Sequence, residues 1–206
     1  MRILAGNYVD LFGFWLPSKW VPTGIFWDDD DDPLTDAGLK WFGIDKYRAL
    51  KPFRSIALPC YSSVFETLVQ TILGQQVSFA VANRVRASFV RQYGARLNYQ
   101  KQSYYTFPNA EKISKLNVVP LRNLGMSEVK AKAILAIAKE NLNQDWLHTL
   151  SNPKTSNESV FLMLTNIFGV GPWTASWVLL RGLRRFNFVA SGDLVMRKAL
   201  TWWWKQ

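Results

Sequence analysis

Apolar residues recur at helical spacing through most of residues 58–206, in short runs separated by polar caps. Phe65, Leu68, Val69 and Ile72 share one face of a helix over 65–73. Gly74-Gln75-Gln76 interrupts that run, and Ser78 caps a second helix that reaches about Tyr93 and stops at Gly94. Phe107-Pro108-Asn109 starts a short helix, and Val119 to Asn123 forms another that ends at Gly125. Ser127 caps the next, with Glu128 in its first turn and Ile134, Leu135 and Ile137 toward the core. Asn152 to Glu158 is a polar connection, and Ser159 to Ile167 is helical again. The turn Gly169-Val170-Gly171 leads through Pro172 into an apolar-periodic run from Trp173 to Leu180, and a last helix opens at Asp193. There is no internal repeat. The pattern predicts a mainly α protein whose helical body spans 58–206, divisible into two subdomains with a shortened C-terminus.

Residues 1–57 do not follow this pattern. Asn7 to Trp27 mixes aromatics with Gly and Pro, which suggests short strands or irregular packing, a reduced N-terminal α+β or irregular segment. Asp28 to Asp32 reads as a solvated acidic loop, because adjacent like charges repel and lack metal-ligand spacing.

Composition narrows the function classes. Cys60 is the single cysteine, which excludes a disulfide framework, a cysteine-rich zinc site and a four-cysteine iron–sulfur cluster. The start of the chain has no uninterrupted apolar core with a cleavage site, and no run approaches the ~20 apolar residues of a membrane span. The expectation is an intracellular protein with no membrane partner. Charge is uneven: residues 1–50 hold five Lys/Arg against eight Asp, whereas 51–206 hold twenty Lys/Arg against seven Asp/Glu. A body this basic suits a polyanion, although a soluble protein of high pI reads the same way on charge alone. His148 is the only histidine and makes no triad or metal pattern, so a structural or surface role is expected.

The turn before Trp173 changes the picture. Its two glycines permit tight conformations and expose backbone N–H groups, and Pro172 opens the helix behind them. A helix N-terminus behind such a turn takes an anion, on a basic chain a phosphate.

Gly169-Val170-Gly171-Pro172-Trp173-Thr174-Ala175, with Ala190-Ser191-Gly192-Asp193-Leu194 about twenty residues on, resembles the helix-hairpin-helix DNA glycosylases of the 3-methyladenine DNA glycosylase II type. Phe65-Glu66-Thr67-Leu68-Val69 with Ile72-Leu73-Gly74-Gln75-Gln76-Val77-Ser78, and Leu124-Gly125-Met126-Ser127 with Lys130-Ala131, carry further parts of the resemblance.

The resemblance implies a DNA base-excision repair glycosylase. Such an enzyme flips a damaged, alkylated base from duplex DNA and hydrolyses its N-glycosidic bond with Asp193 as the catalytic carboxylate. Gly169, Val170, Gly171, Thr174, Gln75, Gln76 and Ser78 would contact DNA, with Gln76 filling the space of the extruded base. Trp173 and Trp177, one turn apart, would line the base pocket, against the alternative of plain core packing. Asp193 can equally N-cap the helix after it, and the two roles are compatible. Bifunctional relatives place a Lys where this chain has Trp173, and indole cannot form a Schiff base, so a monofunctional enzyme that leaves an abasic site is expected.

No cofactor is required beyond, at most, a structural monovalent cation at the hairpin, and no other metal. The partner is double-stranded DNA with a damaged base, bound by a monomer. Lys130 and Lys132 read as a solvated face or as phosphate contacts, and Lys198 likewise. The family carries a larger antiparallel β-domain where this chain has residues 1–57. It also continues through further helices where this sequence reaches Trp202-Trp203-Trp204, of which at least one should be exposed. The alternatives are a non-catalytic helix-hairpin-helix DNA-binding protein and a glycosylase for an oxidised or deaminated base.

Overall fold

The computed structural model describes residues 4–5, 60–185, 190 and 192–204. The expectations for residues 1–57 beyond Leu4–Ala5, including the Asp28–Asp32 loop, lie outside the described residues, as does the boundary at residue 57.

Helix α1 (Val64–Gly74) is enclosed on every side, with each residue from Val64 to Leu73 buried. A helix surrounded by protein is expected to be apolar all round, yet Glu66, Thr67, Gln70 and Thr71 are among these residues. Three of the four have visible reasons. Glu66 closes a capping arrangement, its N–H donating to Ser63 Oγ at 3.0 Å while its carboxylate accepts from the Ser62 N–H at 3.3 Å. Thr67 and Thr71 donate to carbonyls one turn back, at 2.8 and 2.7 Å.

Around α1 pack α2 (Phe79–Tyr93), α5 (Glu128–Glu140) and α8 (Pro172–Arg181). The short helices α3 (Ala110–Ser114) and α4 (Val118–Arg122) lie against α5, and α6 (Gln144–Ser151) and α7 (Asn157–Thr165) lead to α8. Helix α9 (Leu194–Trp204) follows. Phe107 joins α1 to α2, meeting Phe65 edge to face at 6.0 Å and Phe89 in a tilted contact at 5.8 Å. Gly182 closes α8 against α1, because a Cβ there would lie 2.8 Å from Thr67 Oγ1.

The helical prediction holds in class and in most starts. Ser78, Asn109 and Ser127 are N-caps whose side chains accept first-turn N–H groups. Two elements were not predicted. One is α6. The other is a hairpin of β2 (Arg96–Tyr99) and β3 (Gln102–Tyr105), antiparallel with Leu97 opposite Tyr104, to which β1 (Leu4–Ala5) adds on the β3 side. Its two-residue turn, Gln100-Lys101, holds φ of +47° and +63° without the Gly or Asn that usually marks one. Trp202 is 67% exposed, as the triple-Trp argument requires of at least one member; the side chains of Trp203 and Trp204 lie outside the described residues. No helix among the described residues is long and apolar enough to cross a membrane.

Candidate active site

The turn between α7 and α8 is built on one indispensable glycine. Gly169 has φ +83°, and a Cβ there would lie 2.4 Å from Ala133 Cβ on α5, so conformation and packing both demand glycine. Gly171 is different: a Cβ would meet nothing within 4 Å. It N-caps α8 without a side chain, and Pro172 follows in the first turn. The next N–H groups of α8 therefore lack both an intrahelical partner and a capping side chain, the arrangement that receives an anion. Buried Val170 anchors the turn by donating its N–H to Ile167 O at 3.0 Å. The carbonyls of Ile167 and Gly169 each accept one hydrogen bond and keep a second lone pair, a donor type that fits a monovalent cation.

Helix α8 turns two indoles toward Asp193. Trp173 Nε1 donates to Asp193 Oδ2 at 2.7 Å and Trp177 Nε1 to the same oxygen at 3.4 Å. The rings meet edge to face, with centroids 6.2 Å apart. The other oxygen, Oδ1, accepts the Met196 N–H at 2.9 Å, which makes Asp193 the cap of α9. Partial burial pushes the Asp193 carboxyl up, but hydrogen bonds from Met196, Trp173, Trp177 and Val195 outweigh it and hold the group below the usual carboxylate range. Cap and pocket carboxylate are the same residue here.

Asp193, Trp173 and Trp177 border a cavity of about 720 Å³, with Tyr61, Phe79 and Met196 among its walls. That volume suits a small-molecule or single-base ligand. Arg181 closes one side, its Cζ 4.6 Å from the Tyr61 ring centroid and 5.8 Å from that of Trp177. A cation of the chain itself thus stands at the Trp177 ring. Among the described residues that line the cavity there is no lysine.

Gln76 is exposed and holds a left-handed φ of +51° in the loop between α1 and α2. Gln75 and Thr174, both expected at the DNA surface, spend their side chains on each other. Gln75 Nε2 donates to Thr174 Oγ1 at 2.8 Å and to Gly169 O at 3.2 Å, and Thr174 is buried. Their part is to join the Gln76 loop to the hairpin turn. Lys130 also departs from expectation: its ammonium donates to Leu73 O at 3.2 Å and Gln75 O at 2.6 Å, instead of facing solvent or phosphate. Lys132 stays on a solvated face, paired with Glu128 at 2.7 Å. Ser78 is exposed and caps α2. His148 is exposed on α6, away from the cavity.

Tyr61, Phe79, Gln70 and Arg86 also line the cavity and were not singled out from sequence. Only Gln70 stands out from its sequence neighbours, as an amide within the apolar run of α1, and that by itself reads as an exposed position. Among the described residues, no group of three or more His, Cys, Asp or Glu is placed to hold a metal.

Comparison with known proteins agrees with this geometry. The chain is 31% identical over 139 residues to the DNA-3-methyladenine glycosylase of Bacillus subtilis, covering 64% of this chain and 42% of that protein. It is 29% identical over 143 residues to DNA-3-methyladenine glycosylase 2 of Escherichia coli, covering 69% and 49%. The chain thus spans a little under half the length of these curated relatives. Among solved structures, the 3-methyladenine DNA-glycosylase from Archaeoglobus fulgidus superposes with a TM-score of 0.65 at 33% identity, over 76% of this chain and 52% of that one. A family model described as HhH-GPD superfamily base excision DNA repair protein matches residues 69–205. With the hairpin turn and the capped carboxylate both inside that match, the chain belongs to the HhH-GPD superfamily of base excision DNA repair proteins.

Proposed function

We propose that this chain is a monofunctional DNA glycosylase, which binds duplex DNA, takes an alkylated base into the cavity beside Asp193 and hydrolyses its N-glycosidic bond. The observation that carries this reading is the carboxylate itself. It stands at the wall of a base-sized cavity, held by two indole N–H groups and one amide. Breaking the sugar–base bond leaves positive charge on the sugar, and a fixed anion beside that centre stabilises the transition state. With both oxygens already accepting hydrogen bonds and its proton affinity lowered, Asp193 is a weak base and a durable anion. Its main work is electrostatic, with water oriented toward the sugar as a second task. The names of the relatives support the alkylated-base class.

The monofunctional part is supported by the cavity walls. Strand cleavage through a Schiff base needs an amine beside the sugar, and the indole of Trp173 occupies the hairpin position instead. Phosphate binding is assigned to the bare N-terminus of α8, and space-filling in the duplex to Gln76.

The test is base release from alkylated duplex DNA by wild type and Asp193→Asn. Removing the charge should cost about 10²–10³-fold in the rate of release, while binding to a duplex with an abasic site persists. Equal, measurable release by the two proteins would remove Asp193 as the catalyst, and release by neither would leave a DNA-binding module. Borohydride treatment should trap no covalent adduct, and an adduct would overturn the monofunctional assignment.

A further inference from the structure

We infer that Gln70 is a base-reading residue: its side-chain amide recognises the amino edge of an adenine-type ring held in the cavity. This rests on the glycosylase reading for its substrate, but the site is defined by its own geometry. Gln70 is 1% exposed, lines the cavity, and has neither Nε2 nor Oε1 hydrogen-bonded. Buried amides without partners are rare, because each lost hydrogen bond costs free energy that folding does not return. An amide kept in this state at a cavity wall is reserved for something that enters the cavity.

The neighbours do not satisfy it. Thr71 donates its hydroxyl to Thr67 O, and Thr67 donates its own to Ser63 O. Arg86 reaches the same residue but spends Nη2 on the Gln70 backbone carbonyl at 2.8 Å and Nη1 on Asn83 Oδ1 at 3.1 Å. Its guanidinium is held against Gly74, where a Cβ would come within 2.9 Å of Nη2. Arg86 Nε is a further buried donor without a partner on the same wall.

A carboxamide offers one donor and one acceptor side by side in a plane. Its complement is a ring edge with an amino group next to a ring nitrogen, the pairing by which Gln reads adenine. Alkylation of an adenine ring nitrogen away from that edge leaves the edge free. An edge with two acceptors does not match. The arginine at the Trp177 ring bears on the same choice: with Arg181 already there, the cavity is poorly arranged to select a base by positive charge alone. Edge hydrogen bonding at Gln70 supplies the selection instead.

The experiment is a ligand-observed NMR titration of the whole chain with adenine and with 6-methylpurine, in which a methyl replaces the amino group. Wild type should bind adenine about 10- to 100-fold more tightly, and Gln70→Leu should lose that preference while binding 6-methylpurine at least as well. The melting temperature of Gln70→Leu should be unchanged or higher, since an apolar side chain replaces two unpaired polar atoms. Gln70→Met carries the same test if the Leu variant does not fold. Equal binding of the two bases by wild type, or a preference that survives the substitution, overturns the inference. So does a lower melting temperature with an unaltered preference, which would make Gln70 a structural residue. Wild type that prefers adenine through Gln70 yet releases no base would sink the hydrolase reading and leave this one standing. Base release abolished by Asp193→Asn with a preference indifferent to Gln70 would do the reverse.

Discussion

At Asp193 both carboxylate oxygens accept hydrogen bonds, and three of the donors, Trp173, Trp177 and Met196, come from the two helices that the residue joins. The folded carboxyl therefore ionises below its unfolded value. The sign follows: this group contributes stability above the unfolded pKa, and the contribution is lost as pH falls through the lower, folded pKa. An NMR titration of the Asp193 carboxyl should give a midpoint below the ordinary aspartate value of about 3.9. In Trp173→Phe, which removes the 2.7 Å donor, the midpoint should move up. The three residues of this cluster were legible through the family resemblance, since helical spacing alone reads the indoles as core packing and Asp193 as a helix cap. Gln70 and Arg86 were not. A polar residue within an apolar helical run reads as an exposed face until the packing of α1 on all sides is known.

The α7–α8 turn separates two glycines that look equivalent in sequence. Gly169→Ala should lower stability by about 1–3 kcal/mol, because it forces a positive φ on alanine and drives its methyl into Ala133. Gly171→Ala should change stability by no more than about 0.5 kcal/mol, since nothing lies near its Cβ position. It should still weaken DNA binding, because the methyl stands at the anion-receiving end of α8. Thermal melts and duplex titrations on the two variants check both halves. Helix starts were legible at Ser78, Asn109 and Ser127, whereas Ser63, Asn143 and Ser156 cap helices in the same way and were not read as caps. The β2–β3 hairpin escaped because Gln100 and Lys101 adopt left-handed conformations that neither residue type signals. Helix α6 escaped because it is only eight residues long, too short for Trp146, Leu147 and Leu150 to repeat as a pattern.

Over the whole chain, net charge overstates the cationic surface. Twenty Lys/Arg lie in residues 51–206, but Lys130 and Arg185 hold backbone carbonyls, and Arg86 and Arg181 line the cavity wall. Each phosphate neutralised contributes about −0.9 to the slope of log affinity against log salt for duplex DNA. The slope for undamaged duplex should be clearly negative yet correspond to far fewer phosphates than there are basic residues, and a salt series measures it. One further consequence comes from Gln75, which ties the Gln76 loop to the hairpin turn through bonds of 3.2 and 2.8 Å, with Lys130 pinning the loop from behind. Loop and turn are one part, and the span between them is set before any DNA arrives. On the proposed function, this fixed span would act as a gauge laid along the duplex. Stretches that do not bend to it would then be passed over on stiffness alone, a mechanical sorting that precedes any contact with a base edge.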